Sequence, residues 1–346
     1  MTIEEFLAEW RNDSDRVLVH TSGSTGKPKP MWVEKQRMKN SASMTCDFLG
    51  LNEGDTALLC MPLDFIAGKM MVVRSLVRKM QLFCVTPSSH PLSASSLQSV
   101  GRQSFDFVAM TPMQVFSTLQ VDEERDRLRN VRHLLIGGGA ISKQLEYELR
   151  DFPHAVWSSY GMTETLSHIA LRQINGESAS LWYTPMTGVT VGQTSEQCLW
   201  IDAPQVAEGR IVTNDIVVMH DDGIRFRVIG RKDNTICSGG IKIQAEEVER
   251  LLAQHLTMPF TISKARDEKF GEVVVLLVVG NNITDSVSQV CKNSLPRYWQ
   301  PKHIIEVDHL PQTATGKPNR AEAKKIVEKL LVSNFNGNDN VNDNGN

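Results

Sequence analysis

A chain of 346 residues with 41% hydrophobic and 22% charged residues is long enough for two domains and a substantial core. A net charge of −3 argues against a surface devoted to nucleic acid, and no apolar run approaches the roughly 20 residues that a membrane span needs. Cys46, Cys60, Cys84, Cys198, Cys237 and Cys291 are scattered with no Cys-x-x-Cys pair, which points to reduced thiols, and Glu4-Glu5 stand where a signal peptide carries basic residues, so a cytoplasmic protein is expected.

Ile3, Phe6, Leu7 and Trp10 fall on one helical face and predict a short helix docked on the first strand, marked by Val17-Leu18-Val19. Next comes Thr21-Ser22-Gly23-Ser24-Thr25-Gly26-Lys27-Pro28-Lys29. Glycines let the backbone approach an anion, hydroxyls and N–H groups donate to its oxygens, and lysines balance its charge, a composition suited to a polyphosphate. It is not Gly-x-x-x-x-Gly-Lys-Ser/Thr, because Gly23 and Gly26 are three apart and Pro28 follows Lys27.

Strands are predicted at residues 57–61, 82–85, 105–110, 131–136 and 155–157. Helices are predicted at 67–79, 92–100, 112–119 and 142–150, with Ser142 as N-cap of the last and Pro153 beyond its end. This alternation predicts an α/β fold with a largely parallel sheet, in which ligands sit at the carboxyl ends of the strands. The Thr21–Lys29 loop, Gly137-Gly138-Gly139-Ala140 and Tyr160-Gly161 each follow a predicted strand. From about Asn175 the short runs 209–212, 216–219 and 224–229 predict a β-rich subdomain. The charged connection Gly230-Arg231-Lys232-Asp233-Asn234 places a boundary near Asp233, separating an N-terminal domain (1–232) from a smaller C-terminal one (233–332). The latter holds a Gly-Gly loop, a helix at 245–255, a strand at 273–279 and a last helix at 320–331. Residues 333–346 alternate Asn with Gly, Asp and Val and are predicted to be disordered.

Six segments now fall into one order. The Thr21–Lys29 loop, Gly137–Ala140, Tyr160-Gly161-Met162-Thr163-Glu164-Thr165, Thr213-Asn214-Asp215, Gly230-Arg231-Lys232-Asp233 and Thr313-Ala314-Thr315-Gly316-Lys317 resemble the core motifs of adenylate-forming enzymes. That superfamily comprises acyl- and aryl-CoA synthetases, luciferases and peptide-synthetase adenylation domains. The resemblance implies a large α/β domain with a β-rich subdomain, a small mobile α+β C-terminal domain, and use of ATP, Mg2+ and CoA. Such enzymes join a carboxylate to the α-phosphorus of ATP, expel pyrophosphate, and then let a thiol displace AMP, chemistry that rests on positioning and on cations.

The resemblance also implies residue roles. Thr21, Ser22, Ser24, Thr25 and Lys29 would hold the β- and γ-phosphates, with Gly23 and Gly26 allowing close approach. Tyr160 would face adenine, with Gly161 beside it and Gly138, Gly139 and Ala140 on the other side. Thr163 would donate to the α-phosphate and Glu164 would ligate magnesium. Asp215 would take the ribose hydroxyls beside Arg231, although Asn214 stands where the superfamily has Gly. Asp233 would be the hinge of the C-terminal domain. Lys317 would bridge the acid and the phosphate, and Ser238, Gly239, Gly240 and Lys242 would line the CoA tunnel.

Residues 61–74 and 230–250 are most similar to o-succinylbenzoate–CoA ligases, a family of menaquinone biosynthesis. A diacid of that kind needs a partner for its second carboxylate, for which Lys69, Arg74 and Ser167 are the candidates. Two departures stand out. Asp64-Phe65 replaces a Phe-His pair, and the phosphate loop begins by residue 21, which implies either a compact variant or an acyl pocket rebuilt by a homodimer. The expected partners are a small carboxylic acid, ATP and CoA, with no nucleic acid and no membrane span. Other aryl- or acyl-CoA ligases, an adenylation domain loading a carrier protein, and a nucleotide-binding regulator without catalysis are the alternatives.

Overall fold

The computed structural model describes residues 1–20, 30–312 and 319–336. Packing divides the chain into two units, Met1–Thr213 with Val218–Arg227, and Asn214–Val217 with the chain from Val228 on.

The first unit opens with α1 (Ile3–Arg11), started by a capping box in which Thr2 Oγ1 accepts from Glu5 N–H and Glu5 Oε2 from Thr2 N–H. The antiparallel strands β1 (Arg16–His20) and β2 (Pro30–Glu34) follow, pairing Leu18 with Trp32. Then come α2 (Lys35–Leu49), β3 (Thr56–Leu59), α3 (Ile66–Arg78), β4 (Gln81–Cys84), α4 (Ala94–Gln98) and β5 (Phe107–Met110). After these lie α5 (Pro112–Leu119), α6 (Asp122–Arg129), β6 (His133–Ile136), α7 (Lys143–Leu149), β7 (Ala155–Gly161), β8 (His168–Gln173) and β9 (Thr184–Pro185).

Seven strands form one sheet in the order β4-β3-β5-β6-β7-β8-β9. The first five are parallel, as predicted, and β8 and β9 add antiparallel strands at one edge. β3 and β5 are buried along their whole length, which explains why they read as continuous apolar runs rather than alternating ones. The carboxyl ends of β3, β5, β6 and β7 therefore share one edge of the sheet.

Among the helices that escape the sequence patterns, two do so for evident physical reasons. The buried face of α2 is Met38, Ser41, Ala42, Thr45, Cys46 and Leu49, correctly spaced for a helix but built mostly of small or polar groups. α6 is almost wholly charged, with acids in its first turn and arginines in its last, in the sense the helix dipole favours.

β10 (Thr190–Gln193), β11 (Cys198–Asp202), β12 (Arg210–Met219) and β13 (Phe226–Arg231) form a four-stranded sheet in that order. Two separate strands were expected at 209–212 and 216–219. They are one, because Thr213-Asn214-Asp215 contains no glycine to break it.

The second unit continues with β14 (Thr235–Ser238), β15 (Ile241–Gln244), α8 (Ala245–Leu252), β16 (Phe260–Asp267), β17 (Gly271–Val279), α9 (Thr284–Ser294), β18 (His303–Val307) and α10 (Arg320–Asn336). Its sheet runs β15-β14-β17-β16, with β18 parallel to β17. Val274, Leu276 and Val278 of β17 pack with Val248 and Leu252 of α8 and Val287 of α9, whereas Val273, Val275 and Leu277 pack with Ala323 and Val327 of α10. Helices on both faces thus account for the unbroken run Val273-Val274-Val275-Leu276-Leu277-Val278-Val279. α10 continues to Asn336, so the first four residues of the segment expected to lack structure extend the helix. No Pro or Gly interrupts that stretch before Gly337. Residues 337–346 lie outside the described ones. Among the described residues no helix is long and apolar enough to cross a membrane.

Candidate active site

The turn after β6 begins at Gly137, whose N–H donates to Met110 O at 3.0 Å. Gly138 has φ +81°, a conformation that costs a glycine little. A Cβ on Gly139 would meet Pro112 Cγ at 3.7 Å and Cδ at 3.9 Å, so this turn lies against the start of α5 with ordinary clearance. Ala140 closes the turn.

β7 reaches further than the predicted 155–157 and carries Tyr160 and Gly161 on the strand itself. The Tyr160 ring is half-buried, edge-on to Phe226 at 5.1 Å and tilted to Tyr183 at 5.9 Å, while Tyr183 Oη and Ser158 Oγ are 2.7 Å apart. This aromatic cluster fixes the ring plane of the residue expected to face adenine.

Gly161 is required sterically. A Cβ there would lie 2.2 Å from Ser167 O and 2.4 Å from His168 Cα, both backbone atoms of the returning strand. The connection from β7 to β8 is correspondingly tight. Ser167 N–H donates to Thr165 O at 2.7 Å, a γ-turn centred on Leu166, whose φ is +64°. Such a backbone is strained for leucine. The fully buried Thr165 hydroxyl holds it by accepting from Met162 N–H at 3.1 Å and lying within 3.0 Å of Met162 O and 2.8 Å of Ser167 O. On this stitched turn Thr163 is buried and Glu164 is exposed.

Among the described residues no group of three His, Cys, Asp or Glu gathers to hold a metal. One exposed carboxylate fits magnesium nonetheless, because that ion keeps several waters and takes most other ligands from substrate phosphates.

The three residues expected to meet the acid separate into two sets. Lys69 Nζ donates to Leu18 O at 2.6 Å, lies 3.8 Å from Glu9 Oε2, and stands 5.5 Å from the centre of the Phe6 ring. Glu9 Oε1 also accepts from Leu18 N–H. Lys69 therefore ties α1 and β1 to α3, at the strand that leads into residue 21, and burial lowers its pKa. Gly68 permits this, since a Cβ there would sit 2.3 Å from Pro62 O.

Arg74 and Ser167, by contrast, meet directly: Arg74 Nη2 donates to Ser167 Oγ at 2.6 Å. Arg74 is only 2% exposed, its Nε has no hydrogen-bond partner among the described residues, and its Nη1 reaches Met71 Sδ at 4.0 Å. No carboxylate pairs with it among the described residues, and burial pulls its pKa down to about 10, leaving it charged at neutral pH.

In the second unit Arg231 gathers the other candidates. Its Nη1 lies 3.7 Å from Asp215 Oδ1 and its Nη2 3.1 Å from Asp233 Oδ2, which also accepts from Asn214 Nδ2 at 3.3 Å. Asn214, the departure from glycine, thus contacts the hinge candidate. The Ser238–Lys242 segment is a hairpin tip. Ser238 pairs with Ile241, and Gly239 and Gly240 have φ +56° and +84°, the two positive values a two-residue type I′ turn requires. Lys242 lies opposite Cys237 on that hairpin. Thr21, Ser22, Gly23, Ser24, Thr25, Gly26, Lys29 and Lys317 lie outside the described residues.

Sequence reasoning missed Thr165, His168 and Thr45. Thr165 is in the motif but its stitching role depends on tertiary contacts, and the other two carry no local signal.

A sheet of this order, with glycine-rich and Tyr-Gly-Met-Thr-Glu-Thr turns at its carboxyl edge, defines a nucleotide-binding α/β enzyme of the adenylate-forming class. The family model described as AMP-binding enzyme matches residues 6–199, and that of the AMP-binding enzyme C-terminal domain matches residues 262–317. The chain belongs to this AMP-binding enzyme family. A relative from Listeria monocytogenes serovar 1/2a (strain ATCC BAA-679 / EGD-e), 2-succinylbenzoate–CoA ligase, is 27% identical over 352 residues, covering 94% of this chain and 73% of the relative. The structure of o-succinylbenzoate CoA synthetase from Bacillus subtilis in complex with the acyl-adenylate intermediate OSB-AMP is similar with a TM-score of 0.74 and 25% identity, over 89% of this chain and 68% of that one. An acyl-CoA synthetase (AMP-forming)/AMP-acid ligase II-like protein from Dyadobacter fermentans DSM 18053 is 32% identical with a TM-score of 0.62, over 92% and 91% of the two chains.

Proposed function

We propose that this chain is an ATP-dependent acid–CoA ligase acting on o-succinylbenzoate. The observation that carries the choice of acid is Arg74. A buried cation without a carboxylate partner costs several kcal/mol, and here it stands directly behind Ser167, three residues after Glu164. A substrate with a second carboxylate supplies the missing negative charge, through the low-dielectric surroundings that strengthen the attraction.

In this reading one carboxylate oxygen attacks the α-phosphorus of ATP and the bond to pyrophosphate breaks. The thiolate of CoA then attacks the acyl carbon and AMP leaves. Tyr160 and the turn at 137–140 hold adenine, Asp215 and Arg231 the ribose, and Thr163 donates to the α-phosphate. Magnesium, held by Glu164 and the phosphates, would neutralise charge on the leaving pyrophosphate. Lys317 bridges acid and phosphate in the first step, after which the C-terminal domain turns at Asp233 and brings the 238–242 hairpin to the CoA.

The test is ATP–pyrophosphate exchange over o-succinylbenzoate, an analogue lacking one carboxylate, benzoate and fatty acids, followed by CoA. Exchange with o-succinylbenzoate and a CoA thioester product is expected. Exchange with fatty acids alone refutes the acid, and transfer only to a phosphopantetheinyl carrier protein refutes CoA as acceptor. Arg74→Met should raise KM for the diacid about 10- to 100-fold, the worth of a hydrogen bond to a charged group, and leave KM for the one-carboxylate analogue unchanged.

A further inference from the structure

From Arg74 a line of polar side chains runs inward to α2, and one assignment of its protons satisfies every contact along it. Thr45 Oγ1 donates to Ser41 O, one turn back in α2, at 3.1 Å, which spends the only hydroxyl proton of Thr45. His168 Nε2 lies 3.0 Å from that same oxygen, so Nε2 carries the hydrogen and donates it. His168 Nδ1, 3.2 Å from Ser167 Oγ, then bears a lone pair and accepts the Ser167 proton. The Ser167 oxygen accepts in turn from Arg74 Nη2. Thr45 is fully buried, and Ser41, His168 and Arg74 nearly so. Burial, and then the charge of Arg74, keep the imidazole neutral, with a pKa well below 6.5.

Every donor in this line points away from the guanidinium, so every oxygen or lone pair points toward it. Aligned dipoles of this kind polarise one another and solvate the cation without cancelling its charge. A carboxylate at the same place would neutralise Arg74 and end its use for an anion.

We propose that Thr45 and His168 are positioning residues for the acid site, acting through Ser167 on Arg74. This rests on the reading that Arg74 and Ser167 face the acid. Removing the acceptor at position 45 leaves Nε2–H unpaired and favours the other tautomer. Nδ1–H then points at the Ser167 oxygen beside the Arg74 N–H, so a hydrogen replaces the lone pair that had faced the cation's side of the line, and the line's dipoles no longer favour the guanidinium at this place.

The experiment uses the full chain with Thr45→Val, Thr45→Ser and Arg74→Met, each assayed for KM of the acid and of ATP and for kcat in pyrophosphate exchange. Thr45→Val is isosteric and should raise the acid KM about 10-fold with the ATP KM unchanged, and Thr45→Ser, which keeps the hydroxyl, should restore it. A folded Thr45→Val with wild-type acid KM, or one that raises both KM values equally, overturns the proposal. If Arg74→Met leaves the acid KM unchanged, the acid-site reading fails and this inference falls with it. If Arg74→Met raises it and Thr45→Val does not, only the positioning role is lost. Nitrogen-15 shifts of the His168 ring in the unsubstituted protein give an answer independent of any variant's folding: the neutral Nε2–H tautomer is expected, and the Nδ1–H tautomer refutes the relay.

Discussion

Gly161→Ala is the substitution for which the geometry makes the sharpest demand. The new methyl carbon would stand 2.2 Å from Ser167 O, 2.4 Å from His168 Cα and 2.7 Å from Ser167 C, whereas real contacts of this kind stay beyond about 3.0 Å. The shortfall of about 0.8 Å cannot be absorbed by a side-chain rotation, because the obstructing atoms are backbone of Ser167 and of His168, the first residue of β8. β7 and β8 must part there, where their register already shifts between Tyr160 and Gly161. Overpacking of this size costs about 1–3 kcal/mol of stability. The catalytic cost is larger, since Thr163, Glu164 and Ser167 all lie on the connection being pried apart, and a misplacement of about 1 Å can cost about 100-fold in rate. Pyrophosphate exchange should therefore fall about 100-fold in a protein that still unfolds cooperatively with a lowered midpoint in urea. A folded Gly161→Ala protein that exchanges pyrophosphate within threefold of the parent would refute the reasoning.

Gly139→Ala should behave oppositely: its Cβ clears Pro112 Cγ by an ordinary 3.7 Å, so thermal stability is expected to hold while KM for ATP rises, and a lowered midpoint with unchanged KM would remove this turn from the nucleotide site. Stability should also fall as the solution is made mildly acidic. His168, His133 and His303 all have pKa values below 6.5, chiefly through burial, so below that pH the unfolded chain takes up protons that the folded one refuses. Their contribution is fully present above pH 6.5 and is lost as the pH drops beneath it, at up to about 1.4 kcal/mol per pH unit for the buried His168. Urea midpoints between pH 7.5 and 5.5 measure this, and His168→Gln should flatten the slope; the lowered carboxylates, such as Asp106, add their loss only below about pH 4.

The sequence by itself determined the class of fold and the order of the motifs from which the nucleotide site is proposed. Alternating buried strands and helices, and short motifs such as Tyr160-Gly161-Met162-Thr163-Glu164-Thr165, are local patterns, because strand burial and anion-binding turns are properties of consecutive residues. Tertiary structure alone decided the partners of the long basic side chains. Lys69 and Arg74 are five residues apart on one helix and looked interchangeable as grips for an acid. Packing turned one toward Glu9 and Leu18 O and the other toward Ser167. The same holds for α2, whose buried face of Ser41, Thr45 and Cys46 reads as polar until His168 arrives from 123 residues away to pair with Thr45. Which proton goes to which atom is set by contacts distant in sequence, and no local pattern carries it.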